Sequence, residues 1–492
     1  MKVKNQKKAI VIGSGLGGLA VAIRLASRGF AVQVFEKNDY PGGKLSELRL
    51  GAYRFDKGPS LLTMPHLIEE LGRIGKQPKP FTYTQLNLIT RYFYEDGTVV
   101  NASGNADEFA QELKEKLGED PVAVHKHLTR ARFYYDTTSG IFLEQSISKW
   151  RNFLNVKTLK GVLNSPRLAL LKSMHKQNQQ TFLNPKTVQL FDRYATYNGS
   201  NPYRAPALLN QIPHLEMGLG AYLPKEGMHQ ITRYLYDTAL LCGVTFHFNS
   251  RVESVLTKHN KIEGVMAEGK RHACEYLISD MDIRPFYKQL LKQHPAPEKI
   301  LSQEKSSSAY VLYWGVKKVF HELSLHNIFF AKDYEREFQA LFNDDQPADD
   351  ITIYINITSK YCRDDAPEGA ENWFVMVNVP HNASGEAIAY GEKLRQRVVN
   401  KINAILGTNI EEWIETEAVL DPFGIEMQTS SFGGSLYGNS SNTSFSAFRR
   451  HANYSGDIKG LYFVGGSVHP GGGIPLCLWS GKIVDELISK SA

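Results

Sequence analysis

Ala9-Ile10-Val11-Ile12-Gly13-Ser14-Gly15-Leu16-Gly17-Gly18 opens the chain. Four apolar residues run into a glycine turn, an apolar helical pattern extends from Leu19 to Arg28, and Val32-Gln33-Val34-Phe35 closes the segment. Strand, turn, helix and strand within about 30 residues predict a parallel βαβ unit. Gly13, Gly15 and Gly18 fill the G-x-G-x-x-G spacing. The first serves a tight turn, the second lets backbone approach a pyrophosphate, and the third lets the helix pack closely, its N-terminus facing the phosphates. Glycines alone are a weak signal. Here they follow a strand and open a helix, and Glu36 ends the next strand, placed to accept hydrogen bonds from ribose hydroxyls. A dinucleotide site is therefore expected, although the glycines do not choose between FAD and NAD.

Around that unit lie 492 residues, a length that suggests two or three domains. With 42% hydrophobic and 22% charged residues the chain has a globular composition, which excludes a disordered or collagen-like one. No apolar run reaches the roughly 18 residues of a membrane span. Lys2, Lys4, Lys7 and Lys8 precede an apolar run that passes at once into glycines, so it reads as a buried strand and not a secretory signal, and a cytoplasmic protein is expected. Cys242, Cys274, Cys362 and Cys477 show neither CxxC nor metal-ligand spacing; reduced structural thiols and no metal site are expected.

The net charge of +6 is modest, but its distribution is uneven. Residues 145 to 180 carry Lys149, Arg151, Lys157, Lys160, Arg167, Lys172 and Lys176 with no Asp or Glu, interleaved with Trp150, Phe153 and several leucines. Such a mixture suits an anionic membrane surface, and no nucleic-acid motif accompanies it. The alternative is a solvated pair of basic helices. A polar, helical region is expected from about residue 105 to 190. Strand signals return at 243 to 248, 309 to 316, 351 to 355 and 374 to 379, the last three rich in β-branched and aromatic residues, and these look like a second sheet.

Further motifs choose the cofactor. Pro41-Gly42-Gly43-Lys44 and Phe55-Asp56-Lys57-Gly58-Pro59-Ser60 add two glycine turns. Together with Tyr197-Asn198-Gly199-Ser200-Asn201-Pro202, Glu216-Met217-Gly218, Tyr222-Leu223-Pro224-Lys225-Glu226-Gly227-Met228 and Arg251-Val252, they resemble the FAD-dependent amine oxidase and phytoene desaturase superfamily over nearly the whole chain. Lys44 stands where members usually have arginine, and Glu226 where they have glycine. The tract from Leu461 to Pro475, with Val464-Gly465-Gly466-Ser467 and His469-Pro470-Gly471-Gly472-Gly473, is similar to the C-terminal signature of bacterial carotenoid desaturases. Leu476-Cys477 and Phe432-Gly433-Gly434-Ser435 look more like the branch that 3,4-desaturates 1-hydroxylated carotenoids.

The resemblance implies an α/β fold: a discontinuous Rossmann-like FAD-binding domain (1 to 80, 216 to 290 and 425 to 492) and an α+β substrate domain (81 to 215 and 291 to 424). The latter would carry a mixed or antiparallel sheet and a membrane-associating part at 145 to 180. FAD contacts are implied at Gly13, Ser14, Gly15, Gly17, Gly18, Glu36, Lys37, Gly42, Gly43, Lys44, Gly58, Pro59, Ser60, Val252, Gly465, Gly466, Gly473 and Ile474. Gly465-Gly466 should let the following helix start against the flavin. No side chain accepts a hydride, so flavin N5 is the expected acceptor, and loss of the neighbouring proton completes the double bond. Glu216 is the candidate proton acceptor, or else a structural partner of backbone or Lys44; His469 is a second candidate, or braces its turn. An apolar tunnel opening at the membrane should hold the carotenoid, with a polar contact at its inner end to select a hydroxylated substrate. Oxygen or a membrane quinone would reoxidise the flavin. The alternatives are desaturation of phytoene or another acyclic carotene, a different flavin oxidase, and a prenyl-lipid-binding protein without catalysis.

Overall fold

The computed structural model describes residues 6–142, 168–382, 390–443 and 446–491. Its first sheet has five strands, all parallel, in the order Leu461–Phe463, Tyr276–Ser279, Lys8–Ile12, Ala31–Phe35 and Thr245–His247. The strands bury both faces, and their alternation divides two cores. Ala9, Val11, Val32, Val34 and Ile278 pack on the helices Leu16–Ser27, Gln230–Leu241 and Ile474–Ser491. Ile10, Ile12, Phe35, Leu277 and Phe463 turn the other way, onto the antiparallel strands Val252–Lys258 and Lys261–Ala267. The strand signal at 243 to 248 thus joins this sheet and not the second one: Val34 pairs with Phe246, so the short segment extends the parallel edge.

The second sheet has seven strands in the order Ile414–Leu420, Ser308–Val316, Glu371–Val379, Ile353–Ile357, His326–Phe329, Leu88–Phe93 and Val99–Ser103. All neighbours are antiparallel except His326–Phe329 against Leu88–Phe93. One face is a dry core in which Leu312, Trp314, Ile353, Ile355, Val375 and Val377 meet Leu394, Val398 and Ile402 of the helix Gly391–Leu406. The other face is the floor of a cavity. Helices Ala106–Leu117, Pro121–Phe142, Met174–Gln179 and Pro185–Asp192 form the helical layer expected between 105 and 190. Of the basic segment, residues 145 to 167 lie outside the described residues.

Asp56 ties the two glycine turns of the N-terminal half to the middle of the chain. Its carboxylate accepts the backbone N–H groups of Met228 (2.7 Å) and His229 (2.9 Å), and Arg54 Nη2 lies 2.6 Å from it. Arg54 also reaches Glu47 and Asp365. Arginine with three carboxylates in a buried site is held by charge-assisted hydrogen bonds on every side, which is the condition under which buried ions are tolerated.

The helix expected directly after Gly465-Gly466 begins instead at Ile474. Gly465 takes φ +92°, and the chain then loops through a cis His469-Pro470 peptide to Gly473 at φ +114°. Two left-handed glycines bound this loop, so helix can begin only beyond the second. Pro475 then lies in the first turn, where a missing N–H costs nothing.

Candidate active site

The carboxyl ends of the parallel strands converge on one cavity of about 630 Å³, within the range of small-molecule sites. Its upper wall is made by the glycine turns: Gly13, Gly15, Gly17, Glu36, Lys37, Gly42, Gly43, Lys44, Gly58, Pro59, Ser60, Val252, Gly466, Gly473 and Ile474 all line it. Ser14, Gly18 and Gly465 stand directly behind. Ser14 donates through both its N–H and its hydroxyl to Glu36 Oε2 (2.9 Å each), while Asn38 N–H holds Oε1 at 3.0 Å. The carboxylate is thereby oriented, with lone pairs left for ribose hydroxyls. A Cβ at Gly18 would sit 2.3 Å from Gly13 O, so only glycine lets the helix Leu16–Ser27 close onto the turn. Gly465 N–H donates to Ser480 Oγ at 2.9 Å.

Lys44 does not reach Glu216. Its ammonium donates to the carbonyls of Ser435 (2.9 Å) and Leu436 (2.7 Å), and burial lowers its pKa against the pull of Asp282. Lys37 donates to Met427 O (2.7 Å) and Ser430 Oγ (2.9 Å), clasping the helix Pro422–Thr429. Arg450 Nη2 donates to Asn439 O (2.9 Å), and burial pushes the guanidinium down to about 10. The glycine turns, which bring backbone to the cavity wall at Gly13, Gly15, Gly17, Gly42, Gly43 and Gly466, fit a flavin dinucleotide.

The lower part of the cavity lies on the seven-stranded sheet. Leu420, Val311, Met376, Tyr354 and Ile328 pair in register across five strands, and all face the cavity. Ala309, Tyr313, Phe374 and His326 continue the same face. The opposite wall comes from Leu208, Leu209, Ile212 and Leu215 and from Tyr135, Thr138 and Phe142 of the long helix. Phe142 and Leu170, on either side of residues 143–167, both line the space.

Between flavin cradle and floor stands a buried polar cluster. Glu216, 1% exposed, accepts from the hydroxyls of Tyr194 (2.8 Å) and Tyr197, and Arg193 Nη2 lies 3.8 Å away. Glu216 therefore has tyrosine partners and not the backbone or Lys44. The Arg193 guanidinium also lies over the rings of Tyr194 (4.5 Å), Tyr197 (5.2 Å) and Tyr92 (5.3 Å), which spread its charge without water. Burial and Glu216 raise both Tyr194 and Tyr197 well above the ordinary phenol range, so they act as donors. His469 lines the cavity at 1% exposure; its N–H donates to His451 O (3.0 Å) and its carbonyl accepts from Asn453 Nδ2 (2.7 Å).

Sequence reasoning missed Arg193, His326, Tyr354 and Asp280. Arg193 precedes a quoted tract and had only its charge to announce it. Asp280 follows the parallel strand Tyr276–Ser279, at the carboxyl-end position where open α/β sheets bind ligands. Among the described residues no group of three or more His, Cys, Asp or Glu could hold a metal ion.

The sequence pattern of the family described as flavin containing amine oxidoreductase matches residues 16–484. The chain is 47% identical to a 1-hydroxycarotenoid 3,4-desaturase of Flavobacterium sp. (strain P99-3), covering 99% of each chain. It is 32% identical to a 4,4'-diapolycopene oxygenase of Methylomonas sp, again over 99% of each. Among solved structures, a cofactor-binding redesign of putrescine oxidase superposes with a TM-score of 0.64 over 99% of both chains at 13% identity, a likeness of fold.

Proposed function

The chain belongs to the flavin containing amine oxidoreductase family and is an FAD-dependent oxidoreductase, and on that premise we propose that it desaturates a 1-hydroxylated acyclic or monocyclic carotenoid at its C3–C4 bond. The observation that carries this reading is the single cavity, continuous from the glycine turns to an apolar sheet face, in a chain 47% identical to a relative of that activity. A polyene needs such a floor, because apolar walls recover the free energy of taking it out of its lipid or water surroundings. When bound, FAD supplies the hydride acceptor for removing two hydrogens from adjacent saturated carbons.

The FAD-binding part comprises residues 1 to 80, 216 to 290 and 425 to 492, and the substrate part residues 81 to 215 and 291 to 424. The cavity-lining and supporting residues named above would hold the cofactor, with Glu36 to meet the ribose, the Gly13 to Gly18 turn to meet the pyrophosphate, and Lys44, Gly473 and Ile474 to complete the wall. Hydride removal would leave positive charge along the polyene, and the Glu216 carboxylate, set against Arg193 at 3.8 Å, offsets the buried guanidinium that would otherwise oppose that charge. Glu216 is also the candidate proton acceptor, although both its oxygens already accept from tyrosines; His469 braces its loop through backbone bonds. Oxygen or a membrane quinone takes the electrons onward.

A carotenoid must come from a membrane, and we place the mouth where Phe142 and Leu170 meet the cavity edge. Leu171 next to it is 92% exposed and Leu183 86% exposed, with Lys172 and Lys176 close in sequence. That combination supports peripheral attachment to an anionic surface at the cytoplasmic face. Among the described residues no helix is long and apolar enough to cross a membrane.

The test is an anaerobic half-reaction in liposomes. FAD-loaded protein is mixed separately with a 1-hydroxylated carotenoid and with phytoene, and flavin bleaching and product spectra are recorded. Bleaching with the hydroxylated substrate and a product one double bond longer is expected. Bleaching with phytoene alone would move the enzyme to an earlier desaturation, and bleaching with neither would remove the carotenoid reading.

A further inference from the structure

Ser435-Leu436-Tyr437-Gly438 runs along the flavin cradle. The carbonyls of Ser435 and Leu436 accept from Lys44 at 2.9 and 2.7 Å, Arg450 Nη1 donates to the Tyr437 carbonyl at 3.2 Å, and Tyr437 N–H donates to Ser306 Oγ at 3.0 Å. The backbone is therefore fixed on both sides of the Tyr437 side chain. Two glycines then fix its ring. A Cβ on Gly472 would come within 3.0 Å of Tyr437 Cδ1, and one on Gly199 within 2.9 Å of Cδ2, so a glycine flanks each edge of the ring. The far end of the ring stays free. Tyr437 is half-buried and lines the cavity, and its hydroxyl, which makes no hydrogen bond among the described residues, keeps accessible surface there. Burial alone pushes this phenol up to about 12, so it keeps its proton and can donate.

We propose that the Tyr437 hydroxyl donates a hydrogen bond to the alcohol oxygen of the substrate and thereby selects a 1-hydroxylated carotenoid over its unhydroxylated counterpart. The proposal rests on the desaturase reading above and adds the residue that makes the choice. Its placement suits the chemistry. In a 1-hydroxylated chain one carbon separates the hydroxyl-bearing carbon from the C3–C4 bond, so the alcohol oxygen arrives at the cofactor together with the reacting carbons. The contact must then come from the cradle side of the cavity. Tyr437 stands there, against Gly472 in the loop that completes the flavin wall, and close enough to Tyr354 on the floor for a charge on one to be felt by the other. Other polar groups of the cavity are enclosed, engaged or set apart from the cradle. Arg193 Nε and Nη2 have no surface left, and Nη1 is turned to the Tyr197 hydroxyl. The Tyr354 hydroxyl lies 2.6 Å from Ser60 Oγ and 2.7 Å from His326 Nδ1. Asn378 faces the cavity from the floor, on a strand where it pairs with Ala309, and is not among the nearest neighbours of any cradle glycine.

The experiment titrates wild type, Tyr437→Phe and Asn378→Leu with FAD, and then compares anaerobic flavin bleaching of each by a 1-hydroxylated carotenoid and by its unhydroxylated counterpart. Tyr437→Phe removes one oxygen and keeps the ring between its glycines. Wild type should prefer the hydroxylated substrate by about ten- to a hundredfold, the size expected when a hydrogen bond built into an apolar site is made by one substrate and not the other. Tyr437→Phe should bring the two substrates to within about threefold, by slowing the hydroxylated one, with FAD affinity unchanged. Asn378→Leu should keep the wild-type preference. A preference that survives in Tyr437→Phe, a preference lost in Asn378→Leu, or a weakened FAD affinity in Tyr437→Phe overturns the assignment while leaving the desaturase reading intact. Wild type bleached equally by both substrates, or by neither, overturns the reading and the inference together.

Discussion

Asp280 directs its carboxylate into the turn that a pyrophosphate would use. A Cβ placed on Gly15, Gly17 or Gly465 would come within 2.4, 2.7 and 2.2 Å of its oxygens, so part of the space these glycines leave is already taken by an anion. Burial foremost, and the nearby Glu36, push this carboxyl up to about 7, against the N–H groups of Gly18 and Gly15 and the Lys44 charge; Cys477 faces it as a thiol that burial has pushed up to about 12. A dinucleotide brings further negative charge to the same helix N-terminus, which raises the Asp280 carboxyl again. Binding therefore takes up a proton wherever the free protein has lost it. FAD affinity should be constant below pH about 7 and fall above it, by up to about tenfold per pH unit. Asp280→Asn should flatten that profile and bind more tightly at pH 9. Titrating the apoprotein with FAD by fluorescence quenching across pH 6 to 9 checks this, and a flat wild-type curve would contradict it. Nothing in Ser279-Asp280-Met281-Asp282 distinguishes this aspartate from a surface loop residue, because its role depends on glycines hundreds of positions away.

Elements were legible in proportion to their periodicity. The continuous apolar run of Ala9 to Ile12 predicts a strand buried on both faces, and the two cores it divides with Val32 to Phe35 are those faces. The start of the C-terminal helix was not legible, since Gly465-Gly466 and Gly471 to Gly473 are equally good punctuation and only the loop's path to the cavity separates them. That helix packs along Leu16–Ser27 at a point where both are small. A Cβ on Gly481 would lie 2.9 Å from Ala20 Cβ and 3.0 Å from Val21 N. Gly481→Val should overpack this contact and cost about 1–3 kcal/mol. Thermal unfolding of the FAD-loaded protein should show a lowered midpoint; an unchanged midpoint would mean that the helices separate freely.

In the whole molecule, the parallel sheet presents a dinucleotide cradle and the seven-stranded sheet an apolar floor, and one cavity joins them. The proposed entrance lies at one edge of that cavity, at Phe142 and Leu170. With Leu171 exposed beside a cavity-lining Leu170, the entrance would lie against lipid, and membrane attachment would combine burial of Leu171 and Leu183 with attraction of Lys172 and Lys176 to anionic headgroups. Each basic residue near such a surface contributes about 1 kcal/mol. The variant Leu171→Glu/Lys172→Glu should lower the fraction cosedimenting with anionic vesicles by about tenfold or more while keeping its flavin spectrum. Equal sedimentation of variant and wild type would refute this surface.

Read alone, the sequence determined the βαβ unit and a dinucleotide site, because each rests on local spacing, three glycines before a helix and an acid after the next strand; the flavin and the family followed from resemblance to known motifs, the glycine tract near the C-terminus above all. The tertiary structure alone decided the partners of Glu216, the burial of Arg193 among three tyrosines and the lodging of Asp280 in the glycine turn. These are contacts between side chains whose separations in sequence carry no period. Their chemistry comes from desolvation, which exists only once the two sheets and the helical layer have closed around the cavity.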